Sequence, residues 1–307
     1  MLDTSHSPRS TTPVDPGNPA SVAGPWLDRL VSAQAGDGSW PYQTGQPGGL
    51  EPTAFALLAL RAWGSGPDPA ARKGLAAMEG WQARDGSFSI QRGVPPAAYA
   101  TALGMVATLA LDRESPRSEL ARRWLIRSRS MTMVQKGRAV GHDVSLTGWS
   151  WVEGTHGWVE PTAWAVLALR HSDDQDHPRV REGLALLYDR AVEGGGWNYG
   201  NVEVLGRRLA AQPEATGVVL TATSGLAHPS ITRALNYVEA DRPADRGAWT
   251  KAWVRLGLMA HGRPAPAIPP PDRAKLGVND ILHLALLLLA TAPEAGHPLL
   301  IAKEQKP

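Results

Sequence analysis

The sequence predicts an all-α fold of about six outer–inner helix pairs, stacked as a solenoid or closed into a ring. Three observations carry this reading. A Gly-x-aromatic turn recurs as Gln34-Ala-Gly-Asp-Gly38-Ser-Trp40 and Gln82-Ala-Arg-Asp-Gly86-Ser-Phe88, with Trp40 and Phe88 48 positions apart. A helix start recurs as Leu50-Glu51-Pro52-Thr53-Ala54 and Val159-Glu160-Pro161-Thr162-Ala163, each leading into an apolar run. Between these runs lie amphipathic stretches. Apolar helices alternating with amphipathic ones suit an inner layer covered by an outer one.

The turn has weaker copies at Gly148-Trp149-Ser-Trp151, Gly195-Gly196-Trp197 and Gly247-Ala-Trp249. The helix start has a looser copy at Pro213-Glu214-Ala215-Thr216, while Tyr99-Ala-Thr101-Ala102 fills its slot in the second repeat. Lys251-Ala252-Trp253 and Asn279-Asp280-Ile281-Leu282 fill the fifth and sixth. Pro near the first helical position and Glu beside it suit a helix N-terminus. The outer helices are expected over Trp26–Gln34, Ala70–Gln82, Ser118–Arg129, Arg179–Ala191 and Ser230–Ala240. The sixth is poorly marked, because residues 262–272 are Pro-rich and read as a loop with a short helix. Inner helices apolar on every side favour the closed ring. The regular period leaves no internal boundary, so residues 22–302 read as one domain, residues 1–21 as a disordered N-terminal tail and 303–307 as a C-terminal tail.

Composition narrows the function. The chain of 307 residues holds 31 Lys and Arg against 29 Asp and Glu, and no long basic run, which disfavours nucleic-acid binding. The absence of Cys removes disulfides, thiolate zinc sites, iron–sulfur clusters and a Cys nucleophile. The longest apolar run, Leu282 to Ala292 broken only by His283, is too short to span a bilayer. The first residues hold no apolar stretch of the signal-peptide kind, so a cytoplasmic location is expected. Twelve Trp against two Phe is unusual, and most of these Trp fall in the repeated turns and helix starts.

A Gln-x-x-x-Gly-x-Trp turn followed by a Glu-Pro-Thr-Ala helix start resembles the prenyltransferase and squalene-cyclase repeat superfamily, over most of the chain. The resemblance implies an α/α toroid with a central cavity. Cyclases of that superfamily protonate an alkene with the middle acid of an Asp-x-Asp-Asp-Thr-Ala motif. Laid on that Thr-Ala, Glu51, Glu160 and Glu214 take the middle slot, but their flanking positions are Gly49 and Pro52, Trp158 and Pro161, and Gln212 and Ala215. The triple-acid motif is therefore incomplete. Protein prenyltransferases of the superfamily bind zinc through Asp, Cys and His, a set this chain cannot assemble.

Glu51, Glu160 and Glu214 start equivalent helices and are expected at one mouth of the ring, as acids, bases or simple complements to their helix N-termini. The third repeat carries an insertion, since Thr53 and Thr101 are 48 positions apart but Thr101 and Thr162 are 61 apart. Its His142, Asp143 and His156 are expected to join Glu160 at the mouth, as an acid–base cluster or as nitrogen and oxygen metal ligands, or else to lie in water on a Trp-packed lid. Lys136 and Arg138 in this loop are weak diphosphate candidates. Trp40, Phe88, Trp151 and Trp197 are expected to tie repeats together. Tyr99, Trp149, Trp158, Trp164 and Trp253 are the candidates for lining the cavity, where aromatic faces suit an isoprenoid or a carbocation. Asp173, Asp174, Asp176 and His177 form either a magnesium-type cluster or a surface turn, at the opposite end of the ring.

Three functions fit these residues. The first is a terpene-cyclase-like or prenyltransferase-like protein holding a small apolar ligand, with carboxylates at the mouth for acid–base work. The second is a non-catalytic toroid holding a lipid or a partner protein. The third is a toroid acting on polysaccharide. No cofactor and no metal is assigned, and peripheral membrane contact stays open.

Overall fold

The computed structural model describes residues 19–64, 68–134, 141–240, 247–268 and 280–301. Residues 1–18 of the expected N-terminal tail 1–21, the C-terminal tail 303–307, the diphosphate candidates Lys136 and Arg138, and part of the Pro-rich stretch lie outside them, whereas residues 19–21, expected in that tail, are helical. The inner helices are α2 (Leu50–Ala62), α4 (Ala98–Leu111), α6 (Val159–His171), α8 (Pro213–Ala222), α10 (Ala248–Met259) and α11 (Ile281–Thr291). The outer helices are α1 (Pro19–Ser32), α3 (Pro69–Glu79), α5 (Pro116–Arg127), α7 (Pro178–Asp189) and α9 (Pro229–Ala240). Beyond these, the described residues hold one two-residue antiparallel hairpin, β1 (Glu203–Val204) with β2 (Arg207–Arg208).

The inner helices pack in the order α2, α4, α6, α8, α10 and α11, and α11 packs back on α2, so the ring is closed. Hydrogen bonds at the helix starts record the same closure. Leu50 N–H donates to Ile90 in the loop of the next repeat (3.0 Å), and Val159 N–H to Tyr199 (3.2 Å). Ile281 N–H does the same to Tyr42 (3.0 Å), joining the last repeat to the first. Each outer helix packs on the inner helix before it, as α3 does on α2 and α5 on α4. The sixth inner helix, α11, is instead covered by α1 from the start of the chain. The inner helix without an outer cover among the described residues is α10, which is followed by the Pro-rich stretch. Short connections make each inner–outer pair antiparallel, so all inner helices start at one end of the toroid, hereafter the mouth.

Each outer helix begins with a proline, at Pro19, Pro69, Pro116, Pro178 and Pro229. Proline is well placed there, because its missing N–H is one that a helix start leaves unpaired in any case. These starts precede the apolar stripes, which is why the expected outer helices began too late.

The repeated motifs are a locking device. The Thr53, Thr101, Thr162 and Thr216 hydroxyls accept from the backbone N–H of Trp40, Phe88, Trp149 and Trp197, at 2.9 to 3.0 Å. The indole Nε1 atoms of Trp40, Trp149 and Trp197 donate to Leu30, Leu125 and Leu187 near the ends of the preceding outer helices. Gln34 and Gln82 bridge their own turn to the start of the next outer helix, at Ala70 and Arg117. The turn glycines Gly38 and Gly86 sit at φ +90° and +96°, a region other residues avoid. A Cβ there would lie 2.6 Å from the Lys73 carbonyl oxygen and 2.2 Å from that of Leu120.

This lock yields one stability prediction. Thr53→Val keeps the shape of a fully buried side chain but strands the Trp40 N–H. An unpaired buried donor costs about 1–3 kcal/mol, and urea unfolding is expected to read that loss while Thr53→Ser restores it.

The spacing from aromatic to threonine also corrects a register. It is 13 residues in the first three repeats, which assigns the third lock to Trp149. Trp151 was expected in that role and Trp149 at the cavity. Trp149 is instead fully buried in the wall, with the Arg179 guanidinium 3.9 Å from its ring centroid. In the fourth repeat the spacing is 19, and the extra residues form the β1–β2 hairpin.

Candidate functional site

At the mouth, the second residue of three inner helices is a carboxylic acid, Glu51 on α2, Glu160 on α6 and Glu214 on α8. Tyr42 donates its hydroxyl to Glu51 Oε2 at 2.9 Å, and Tyr99, in the equivalent slot of α4, donates to Oε1 at 2.5 Å. Burial, with Glu51 beside them, pushes both phenols above the ordinary tyrosine range, so they stay protonated donors. Glu214 is reached by the Tyr199 hydroxyl at 3.3 Å.

Glu160 differs from both. No hydrogen bond or ion pair engages its carboxyl among the described residues. Burial pushes its pKa up to about 7, and the negative charges of Glu51 and Glu214 add to the shift. It is a carboxyl that is partly protonated at neutrality, next to one that is doubly hydrogen-bonded.

Glu51, Glu160 and Tyr99 open onto a cavity of about 540 Å³ whose other walls include Val94, Trp151 and Val152. Trp151 meets the Tyr99 ring at 5.2 Å between centroids. Beneath, an aromatic floor crosses the ring. Tyr99 packs on Trp164 at 5.9 Å, Trp164 on Phe55 at 5.9 Å and on Trp253 at 5.8 Å, and Trp249 on Phe55 and Trp253 at 6.4 and 6.3 Å. The contacts are edge-to-face, the favourable arrangement for aromatic quadrupoles. Trp164 and Trp253 are 1% and 3% exposed, so they are a packed floor rather than an open lining. The Trp164 Nε1 atom is buried without a partner among the described residues. Trp158 precedes α6 and lies half-buried, its ring against Gly200.

The insertion divides. Its part around Trp151 and Val152 reaches the cavity, but its part around Asp143 does not. Asp143 N–H donates to Asp189 at 3.1 Å, its carbonyl accepts from Arg190 at 3.1 Å, and its carboxylate accepts from Ser145 N–H and hydroxyl at 2.8 and 2.6 Å. Those Ser145 bonds hold the exposed carboxyl below its usual range. The turn is thereby pinned to the C-terminal end of the outer helix α7. His142 beside it is pushed down by burial and by Arg190. His156 is exposed and pairs through its backbone with Met131. The expected grouping of His142, Asp143 and His156 with Glu160 is thus corrected. The C-terminal end of α7 offers Asp143 an arginine and a carboxylate, and these hold it on the outer rim. Asp173 and Asp174, at the opposite end, pair with Arg113 and Arg122. No group of three or more metal-ligating side chains occurs among the described residues.

Two contributors were not anticipated. Tyr42 is the position just after Pro41 in the first turn, and its hydroxyl holds Glu51. His283 sits in the first turn of α11, where Asp280 caps the helix by accepting from His283 N–H at 3.0 Å.

No family model and no curated protein matches the chain. Solved structures do. A protein from Actinoplanes is 18% identical, covering 89% of this chain and 98% of its own, with a TM-score of 0.59. A type II terpene cyclase from Scytonema, in complex with geranylgeranyl dihydroxybenzoate, is 13% identical over 92% of this chain and 98% of its own, at 0.57. An alpha-1,6-mannanase of Salegentibacter, in complex with alpha-1,6-mannotriose, is 12% identical over 92% of this chain and 100% of its own, at 0.62. At such identities the likeness concerns the fold. No helix among the described residues is long and apolar enough to cross a membrane. The chain has the α/α toroid fold that type II terpene cyclases share with α/α glycosidases.

Proposed function

We propose that this toroid is a terpene-cyclase-like protein that takes an isoprenoid, or another apolar ligand, into the mouth cavity and protonates it with Glu160. One observation carries the reading: a carboxyl with no hydrogen-bond partner among the described residues, its pKa pushed up to about 7 chiefly by burial, opens beside Glu51 and Glu153 onto a cavity otherwise walled mainly by Val, Pro, Tyr and Trp above an aromatic floor. An apolar wall favours a hydrocarbon over a sugar, whose hydroxyls need polar partners. The rim supports the same choice. Among the described residues, every exposed large apolar side chain lies in a loop that enters α4, α6 or α8, including Val94, Val134, Val152 and Leu205. Such a rim gives an apolar ligand an access route, and it is the face at which peripheral membrane contact is proposed.

Incubation with geranylgeranyl diphosphate, squalene and geranylgeranyl dihydroxybenzoate, with mannotriose as the sugar control, tests the reading. Mass spectrometry is expected to find an isomer of at least one prenyl probe, absent with Glu160→Gln. Saturable prenyl binding without conversion would support the non-catalytic alternative. Binding of mannotriose in preference to every prenyl probe would overturn both.

A further inference from the structure

His283 stands across the mouth from Glu160. In the ring order α2, α4, α6, α8, α10, α11, the helices α6 and α11 are diametrically opposed. Between them runs the aromatic floor, and it ends on His283, whose ring meets Trp249 edge-on at 5.1 Å and 87°. Asp280 does more than cap α11. Its Oδ1 accepts from the His283 backbone N–H, which is all that a cap requires, while its Oδ2 engages the imidazole Nδ1. A carboxylate on Nδ1 fixes the tautomer that leaves the lone pair on Nε2, and it stabilises the imidazolium formed when Nε2 takes a proton. The dyad is not sealed in the wall, since the His283 and Asp280 side chains are 39% and 31% exposed.

We infer that His283, oriented by Asp280, is the proton acceptor that completes a reaction begun by Glu160 at the other side of the aromatic floor. The inference rests on the prenyl reading above. In the first step the Glu160 O–H bond breaks, its proton forms a C–H bond with one alkene carbon, and a carbocation results. In the last step a C–H bond beside the cationic carbon breaks, its electron pair becomes a C=C bond, and its proton goes to His283 Nε2. Solvent then carries that proton back to the Glu160 carboxylate, so substrate and product are isomers. The separation of donor and acceptor by a row of rings calls for a ligand in which the two reacting positions are many bonds apart.

Two measurements test this, both on the full chain with geranylgeranyl diphosphate as probe. Diethyl pyrocarbonate modification, mapped by mass spectrometry, is expected to slow at His283 at least threefold when the probe saturates, with exposed His156 unchanged. An unprotected His283 would place the imidazole away from the ligand and overturn the proposal. In the second measurement, His283→Ala is expected to shift products from the proton-loss alkene to water-captured alcohols. Asp280→Asn is expected to shift them the same way, less far. Wild-type conversion that stops with Glu160→Gln, together with an unchanged product pattern for His283→Ala, overturns the dyad and leaves the prenyl reading standing. Absence of conversion by the wild-type protein overturns both.

Discussion

Glu160→Gln is expected to abolish proton transfer while leaving the fold intact, with turnover falling by at least the 10²–10⁴-fold that general acid catalysis typically supplies. The two side chains have nearly the same shape, and Glu160 makes no hydrogen bond among the described residues that glutamine would lose. The pH behaviour separates this outcome from a structural one. A carboxyl with a folded pKa of about 7 is the active acid below that value, so wild-type activity should fall as pH rises through 7. Stability has the same sign. Because the folded pKa lies above that of the unfolded chain, the native state holds the proton more tightly. Its contribution is complete below the ordinary glutamate range and is lost as pH rises to about 7. Urea unfolding across that window should therefore show the wild-type protein losing stability relative to Glu160→Gln. A variant as pH-sensitive as the parent would mean that Glu160 is ionised throughout and cannot be the acid.

The parts of this molecule legible in its sequence are those whose causes are local. The inner helices could be read because Glu-Pro-Thr-Ala and the following apolar run place N-terminal signals and burial in a single segment. Ring closure followed from helices apolar on every side. The threonine lock is present as a spacing of 13, yet it joins two segments, so the turn motif by itself does not separate Trp149 from Trp151. The outer-helix starts were hidden because Pro69, Pro116, Pro178 and Pro229 precede the apolar stripe. Asp143 illustrates the harder limit. Its position in a long loop suggested the mouth, but it is held by Asp189 and Arg190, residues over 40 positions away on the outer ring. In the sequence His283 only interrupts an apolar run, and it is the aromatic floor that places it at the end of a row of rings.

The two tryptophans that the sequence confuses should separate most clearly by mutation. Trp149 is fully buried and holds three helices together. Its indole donates to Leu125 in α5, its backbone N–H is held by Thr162 in α6, and its ring covers Arg179 at the start of α7. Trp149→Ala is expected to cost about 3–5 kcal/mol through cavity formation. It also removes the ring against which the 1%-exposed Arg179 side chain carries its charge. That is a large part of the roughly 5–15 kcal/mol that typically holds a domain together, so thermal and urea unfolding should shift steeply. Trp151 is 37% exposed, and its described ring contact is with Tyr99. Trp151→Ala should leave stability within about 1 kcal/mol of the parent. The loss of one aromatic contact, about 0.5–1.5 kcal/mol, should instead weaken prenyl-probe binding some 2- to 13-fold. The reverse pattern, a stable Trp149→Ala and an unfolded Trp151→Ala, would return Trp151 to the wall and remove one side of the proposed cavity.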